Sequence, residues 1–144
     1  MALSLAYPAK IEEDKEGNFL VSFRDAPEVT TFGETFEEAF FNAQEALELL
    51  LTDVDWETDT INNPSKQRKG EVMVAVSPEV AAPVLLHKLR DKKGFSLTEV
   101  ARTMGVSYQN YQQIEAGKNI TLKSLKRAAA AMGAIVEIKL HVVK

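Results

Sequence analysis

The stretch LTEVARTMGVSYQNYQQIEAGK, Leu97 to Lys118, reads as two short helices with their punctuation between them. Ser96 stands just before it and Glu99 three residues later, the spacing of a capping box in which side chain and backbone satisfy each other's free donors. Leu97, Val100, Ala101 and Met104 then share one helical face. Gly105-Val106-Ser107 supplies a three-residue turn whose glycine can take left-handed backbone. A second helix is predicted from Tyr108 to about Ala116, stopped by Gly117. Ala101 has to be small because the second helix crosses over it. Val106, Tyr111 and Ile114 are placed to pin that helix to a core.

The punctuation continues on both sides. Ser77 reads as an N-cap with Pro78 at the first helical position, and the helix it opens should run to Lys93 and stop at Gly94. Pro83 falls inside that helix, so a kink or a fresh start is expected there. Thr121 caps a last helix ending at Gly133. Ile135 to Val143 then alternates, with Val136, Ile138, Leu140 and Val142 on one face, which predicts a terminal β-strand.

Leu97 to Lys118 resembles the helix-turn-helix of the phage-repressor, or Cro/C1, type. Glu115-Ala116-Gly117-Lys118 matches that family's ending, where glycine stops the helix and a basic residue faces the DNA backbone; Tyr111 replaces a smaller aliphatic. In this register Gln109, Asn110, Gln112 and Gln113 project outward from the recognition helix. Glutamine and asparagine can make paired hydrogen bonds to adenine in the major groove, so these four are the expected base readers of operator double-stranded DNA. Ser107 and Tyr108, at the helix start, can donate to bases or phosphates. Ser96, Lys118, Asn119 and Lys123 are the expected phosphate contacts, which position the protein without reading sequence. Lys126 and Arg127 fit a merely solvated face equally well.

The first half has a different grammar. Tyr7, Ala9 and Ile11 alternate with Lys10 and Glu12, and Phe19, Val21 and Phe23 alternate likewise. Gly17-Asn18 between them predicts a hairpin. Val29 to Phe32 follows Pro27 as a third short strand. Thr35 and Glu38 open a helix as a second capping box, with Phe36, Phe40, Ala43, Leu47 and Leu50 expected to pack on the sheet. Residues 53–70, DVDWETDTINNPSKQRKG, read as a loop, and Val72, Val74 and Val76 as a fourth strand. The fold class is therefore α+β: a βββαβ domain over residues 1–76, followed over residues 77–144 by an all-α helix-turn-helix domain with a C-terminal β-strand.

Charge divides the same way. Residues 1–76 hold 16 acidic and 6 basic residues, a net of −10, and residues 77–144 hold 5 and 11, a net of +6. A basic half suits a phosphate backbone and an acidic half suits a basic protein partner. There is no cysteine, and no run is long and apolar enough to span a membrane. The expectation is a soluble cytoplasmic protein. No spacing of carboxylates or histidines suggests a metal cluster, a cofactor or a catalytic site. His87 and His141 read as structural, and Asp25 belongs to the turn before Pro27.

Taken together, the two halves resemble the HicB-type antitoxins of bacterial toxin–antitoxin pairs. The carrying residues are the stretch from Tyr7 to Leu51, the later VMVAVSP, and the helix-turn-helix. Gly17, Val21, Ser22, Phe23, Asp25, Pro27, Gly33, Thr35, Glu38 and Ala39 occupy the family pattern, with one extra residue between Gly17 and Val-Ser-Phe. The resemblance implies a truncated ribonuclease-H-like first domain that covers a small basic ribonuclease toxin (HicA-like). It also implies a second domain that binds its own operator as a homodimer or higher homo-oligomer. Pairing the terminal strand, through Val136, Ile138, Leu140 and Val142, across a two-fold axis would hide its apolar edge. The alternative is a stand-alone repressor whose first domain senses a small ligand, which an apolar cavity there would favour. A metal-dependent nuclease is a third.

Overall fold

The computed structural model describes residues 2–54 and 61–143. Part of the expected loop 53–70 therefore lies outside the described residues. Four strands, β1 (Ala6–Glu13), β2 (Phe19–Phe23), β3 (Thr30–Gly33) and β4 (Val72–Ala75), form one sheet in the order β3-β2-β1-β4. Every neighbouring pair is antiparallel, with Ala9 opposite Phe23, Tyr7 opposite Val74 and Val21 opposite Thr31. Because side chains alternate across a strand, this register puts Tyr7, Ala9, Val21, Phe23 and Val74 on one face, and all five are buried.

That face is covered by α1 (Phe36–Thr52), whose N-cap Thr35 accepts a hydrogen bond from the Glu38 amide. The buried stripe is Ala39, Ala43, Leu47 and Leu51. It differs from the expected one: Phe36, Phe40 and Leu50 are only half-buried. Close approach explains the rotation. A Cβ built on Gly33 would lie 2.3 Å from the Ala39 backbone nitrogen, so only small residues fit where the helix meets β3. The phenylalanines fill the flank instead, Phe19 meeting Phe36 edge-on at 6.2 Å and Phe36 meeting Phe40 at 6.3 Å.

The return from α1 to β4 is strapped to the sheet at residues 61–71. Arg24 Nε donates to Glu71 Oε2 at 2.9 Å, and the Asp25 carboxylate accepts from the Ser65 amide and hydroxyl, each at 2.7 Å. Tyr7 donates to the Asn62 carbonyl at 3.0 Å. Burial, and then the Asp25 charge, push the Tyr7 phenol up to about 12. The Arg24 guanidinium beside Glu71 holds that carboxyl below its ordinary range.

The rest of the chain is helical: α2 (Pro78–Lys93), α3 (Leu97–Met104), α4 (Tyr108–Glu115) and α5 (Leu122–Ala131). Contacts divide the chain into two compact units, Ser4–Ser77 and Pro78–Leu140, with the residues from His141 grouped with the first. Pro83 does not restart α2, which runs through it as one helix. The Ser77 N–H donates to Glu48, and its buried hydroxyl has no hydrogen-bond partner, so the expected side-chain cap is not made. The core of the helical unit joins Leu86 and Leu89, Val100, Ala101 and Met104, Tyr111 and Ile114, and Ala128 and Met132.

The expected C-terminal strand is not formed: residues 134–143 have no regular secondary structure. Ile135 is 96% and Leu140 93% exposed, and Val136, Ile138 and Val142 are exposed with them. A strand needs a neighbour for its amides and carbonyls. Among the described residues none pairs with this segment.

Candidate nucleic-acid interface

Two helices and a tight turn place the candidate surface. Ser96 and Glu99 close a full capping box on α3, and Gly105 ends that helix at φ 74°, its N–H reaching back to Ala101 and Arg102. Val106 N–H then bonds the Ala101 carbonyl at 3.0 Å, which fixes the turn. The Ser107 hydroxyl accepts from the Asn110 amide at 3.1 Å and starts α4. Thr121 and Ser124 close another capping box on α5.

Within α4, only Tyr111 and Ile114 are buried. Tyr108, Gln109, Asn110, Gln112 and Gln113 are all exposed. Gln109, Gln112 and Gln113 stand at i, i+3 and i+4 and so lie side by side on the helix. Ser96, Ser107, Lys118, Asn119 and Lys123 are exposed as well. Among the described residues, Asn119 is the non-glycine residue with left-handed backbone, at φ 52°, in the turn between α4 and α5. The Ser96 and Ser107 hydroxyl oxygens accept cap bonds, which leaves each O–H as a donor.

A polar clamp that sequence reading did not anticipate holds the end of α4. Glu115 accepts from Arg90 Nε at 2.9 Å and Arg90 Nη2 at 2.9 Å, and its Oε1 lies 3.0 Å from His87 Nδ1. Arg90 Nη1 also donates to the Phe95 carbonyl at 3.1 Å, so one guanidinium ties α4 to α2 and to the start of the next helix. Burial alone would raise the Glu115 carboxyl, but the hydrogen bonds and charge of Arg90, with His87, outweigh it and hold the carboxyl below its ordinary range. The Tyr111 hydroxyl is near enough to feel the Glu115 charge yet falls short of a hydrogen bond. Burial, and then that charge, push the phenol up. Arg127 is not a bare surface cation, since its Nη2 donates to the Met104 carbonyl at 2.8 Å and completes the end of α3.

Residues 6–84 match the family described as the HicB-like antitoxin of bacterial toxin-antitoxin systems. The chain belongs to that family. Residues 86–135 match a second family, described as helix-turn-helix. Antitoxin HicB 2 of Photorhabdus laumondii is 35% identical to this chain, over 96% of it and 98% of the relative. Antitoxin HicB of Escherichia coli K12 is 31% identical, over 90% of this chain and 94% of its own length. HicB-like antitoxins are regulators and not enzymes. Asp25 and Glu71 are held by Ser65 and Arg24 as structural fastenings. No helix among the described residues is long and apolar enough to cross a membrane.

Proposed function

We propose that this chain is the antitoxin of a toxin–antitoxin pair, that residues 1–76 cover a small basic ribonuclease toxin of the HicA kind, and that residues 77–144 bind the operator of the same operon and repress it. The first unit would be the truncated ribonuclease-H-like module, and the protein would act in the cytoplasm as a homodimer or higher assembly. The observation that carries the reading is the joining, in one chain, of a HicB-like domain with net charge −10 to a helical unit of net charge +6 that bares its glutamines. Long-range attraction from the acidic half would speed capture of a basic partner. The two hollows beside α1, lined in part by Phe36, are open to solvent.

The reading is tested by co-expression with the small open reading frame beside the gene. That neighbour is expected to arrest growth alone, and this chain to restore growth while co-purifying through residues 1–76. A harmless or non-binding neighbour would remove the antitoxin reading and leave only the DNA-binding half of it.

At the operator, Gln109→Ala or Gln112→Ala is expected to cost about 1–3 kcal/mol and relax preference at one base position. Lys118→Ala, by contrast, should weaken operator and random DNA alike and flatten the salt dependence by about one phosphate contact. Titrations of both DNAs at two salt concentrations separate the two behaviours. Glutamine variants that bind both DNAs as the unchanged protein does would show that another face reads the bases.

A further inference from the structure

The exposed tail carries more than apolar surface, because its charges are arranged symmetrically about one residue. Ile135, Val136, Glu137, Ile138, Lys139, Leu140 and His141 alternate, with Val136, Ile138 and Leu140 on one side and Glu137 and Lys139 on the other. We propose that residues 135–141 pair antiparallel with the same residues of a second copy, in the register that sets Ile138 opposite Ile138. This rests on the homodimer reading above and specifies its interface.

The register follows by elimination. In an antiparallel pair, residues directly opposite share a face, so a slip by one would set the apolar side of one copy against the polar side of the other. Only registers centred on a residue keep like faces together. Centring on Glu137 opposes two carboxylates, and centring on Lys139 opposes two ammonium groups; like charges directly opposite are destabilising. Centring on Val136 sets Glu137 against Ile135, and centring on Leu140 sets Lys139 against His141. Centring on Ile138 pairs Glu137 with Lys139 twice, sets Val136 against Leu140 twice, and brings the two Ile138 side chains together. It gives the ribbon one continuous apolar face and two opposite-charge pairs. It also leaves Val142 and Val143 beyond the paired segment.

Because the chain has no cysteine, single introduced cysteines report the register in the full-length protein. Opposed residues lie about 4.5–5.5 Å apart at Cα, within disulfide reach, whereas equivalent residues one place off centre are separated by more than about 7 Å. Ile138→Cys is expected to cross-link on mild oxidation, and Glu137→Cys and Lys139→Cys to stay largely uncross-linked. These side chains are exposed in the single chain, so the variants keep the helical fold, which circular dichroism verifies. Glu137→Lys or Lys139→Glu alone should weaken the dimer by about tenfold, and the two together should restore it. Stronger cross-linking at 137 or 139 than at 138 would overturn the register. A dimer that cross-links at none of these positions would overturn the ribbon and leave the dimer reading to another surface. A chain that sediments as a monomer would overturn both.

Discussion

Glu115→Ala is expected to destabilise the helical unit by about 3 kcal/mol, because it strands the Arg90 guanidinium in a largely buried position. The side chains of Glu115 and Arg90 are only 8% and 18% exposed, so water cannot take over the lost hydrogen bonds fully. The clamp joins residues 25 positions apart and fastens the C-terminal end of α4, next to the buried Ile114, to α2. Urea unfolding followed by circular dichroism measures the loss, and Glu115→Gln, which keeps an acceptor but not the charge, should fall between. The carboxyl is held below its ordinary 4.5 in the folded chain. Its contribution is therefore complete above that ordinary value and is lost as the pH falls through the lower folded one. The alanine variant should lack this part of the acid transition. A variant as stable as the unchanged protein, with the same acid limb, would mean that Arg90 finds other acceptors.

Ending the chain after Ala134 is expected to give a folded monomer that binds operator about a hundredfold or more weakly. A single recognition helix touches few bases, and tethering two of them converts the second contact into an intramolecular one. The helical core is complete without the tail, since its last members are Met132 and the adjoining Ala134. Secondary structure should therefore be retained while the sedimentation coefficient and the operator affinity fall together. A truncated chain that still dimerises would place the contact elsewhere. One that stays monomeric yet binds as tightly would separate assembly from DNA binding.

What could be read from sequence was what local chemistry decides. Ser96 with Glu99 and Gly105 specify a helix, its start and its end within a dozen residues, and the outward face of α4 follows from the two positions, Tyr111 and Ile114, that must point in. The strands were legible from alternation at Tyr7, Ala9 and Ile11 and at Phe19, Val21 and Phe23. Long-range decisions were not. The face of α1 turned on Gly33 meeting Ala39, a contact between elements that periodicity does not encode, although a glycine just before a cap was a hint. The Arg90–Glu115 clamp needs two helices brought together before its partners are neighbours. Alternation in the tail predicts a strand that the chain does not form, because a strand needs a partner and no described element of the chain pairs with residues 134–143.

The arrangement of α4 has a consequence for how such a protein could diverge. Tyr111, Ile114 and Glu115 are the residues by which the helix is held, and the five exposed residues from Tyr108 to Gln113 hold nothing in the fold. On the proposed reading, the operator address is written in side chains that folding does not consult. Two related operons in one cell could keep the same scaffold, exchange those five letters, and cease to answer each other's promoters, without either protein first having to relearn how to fold.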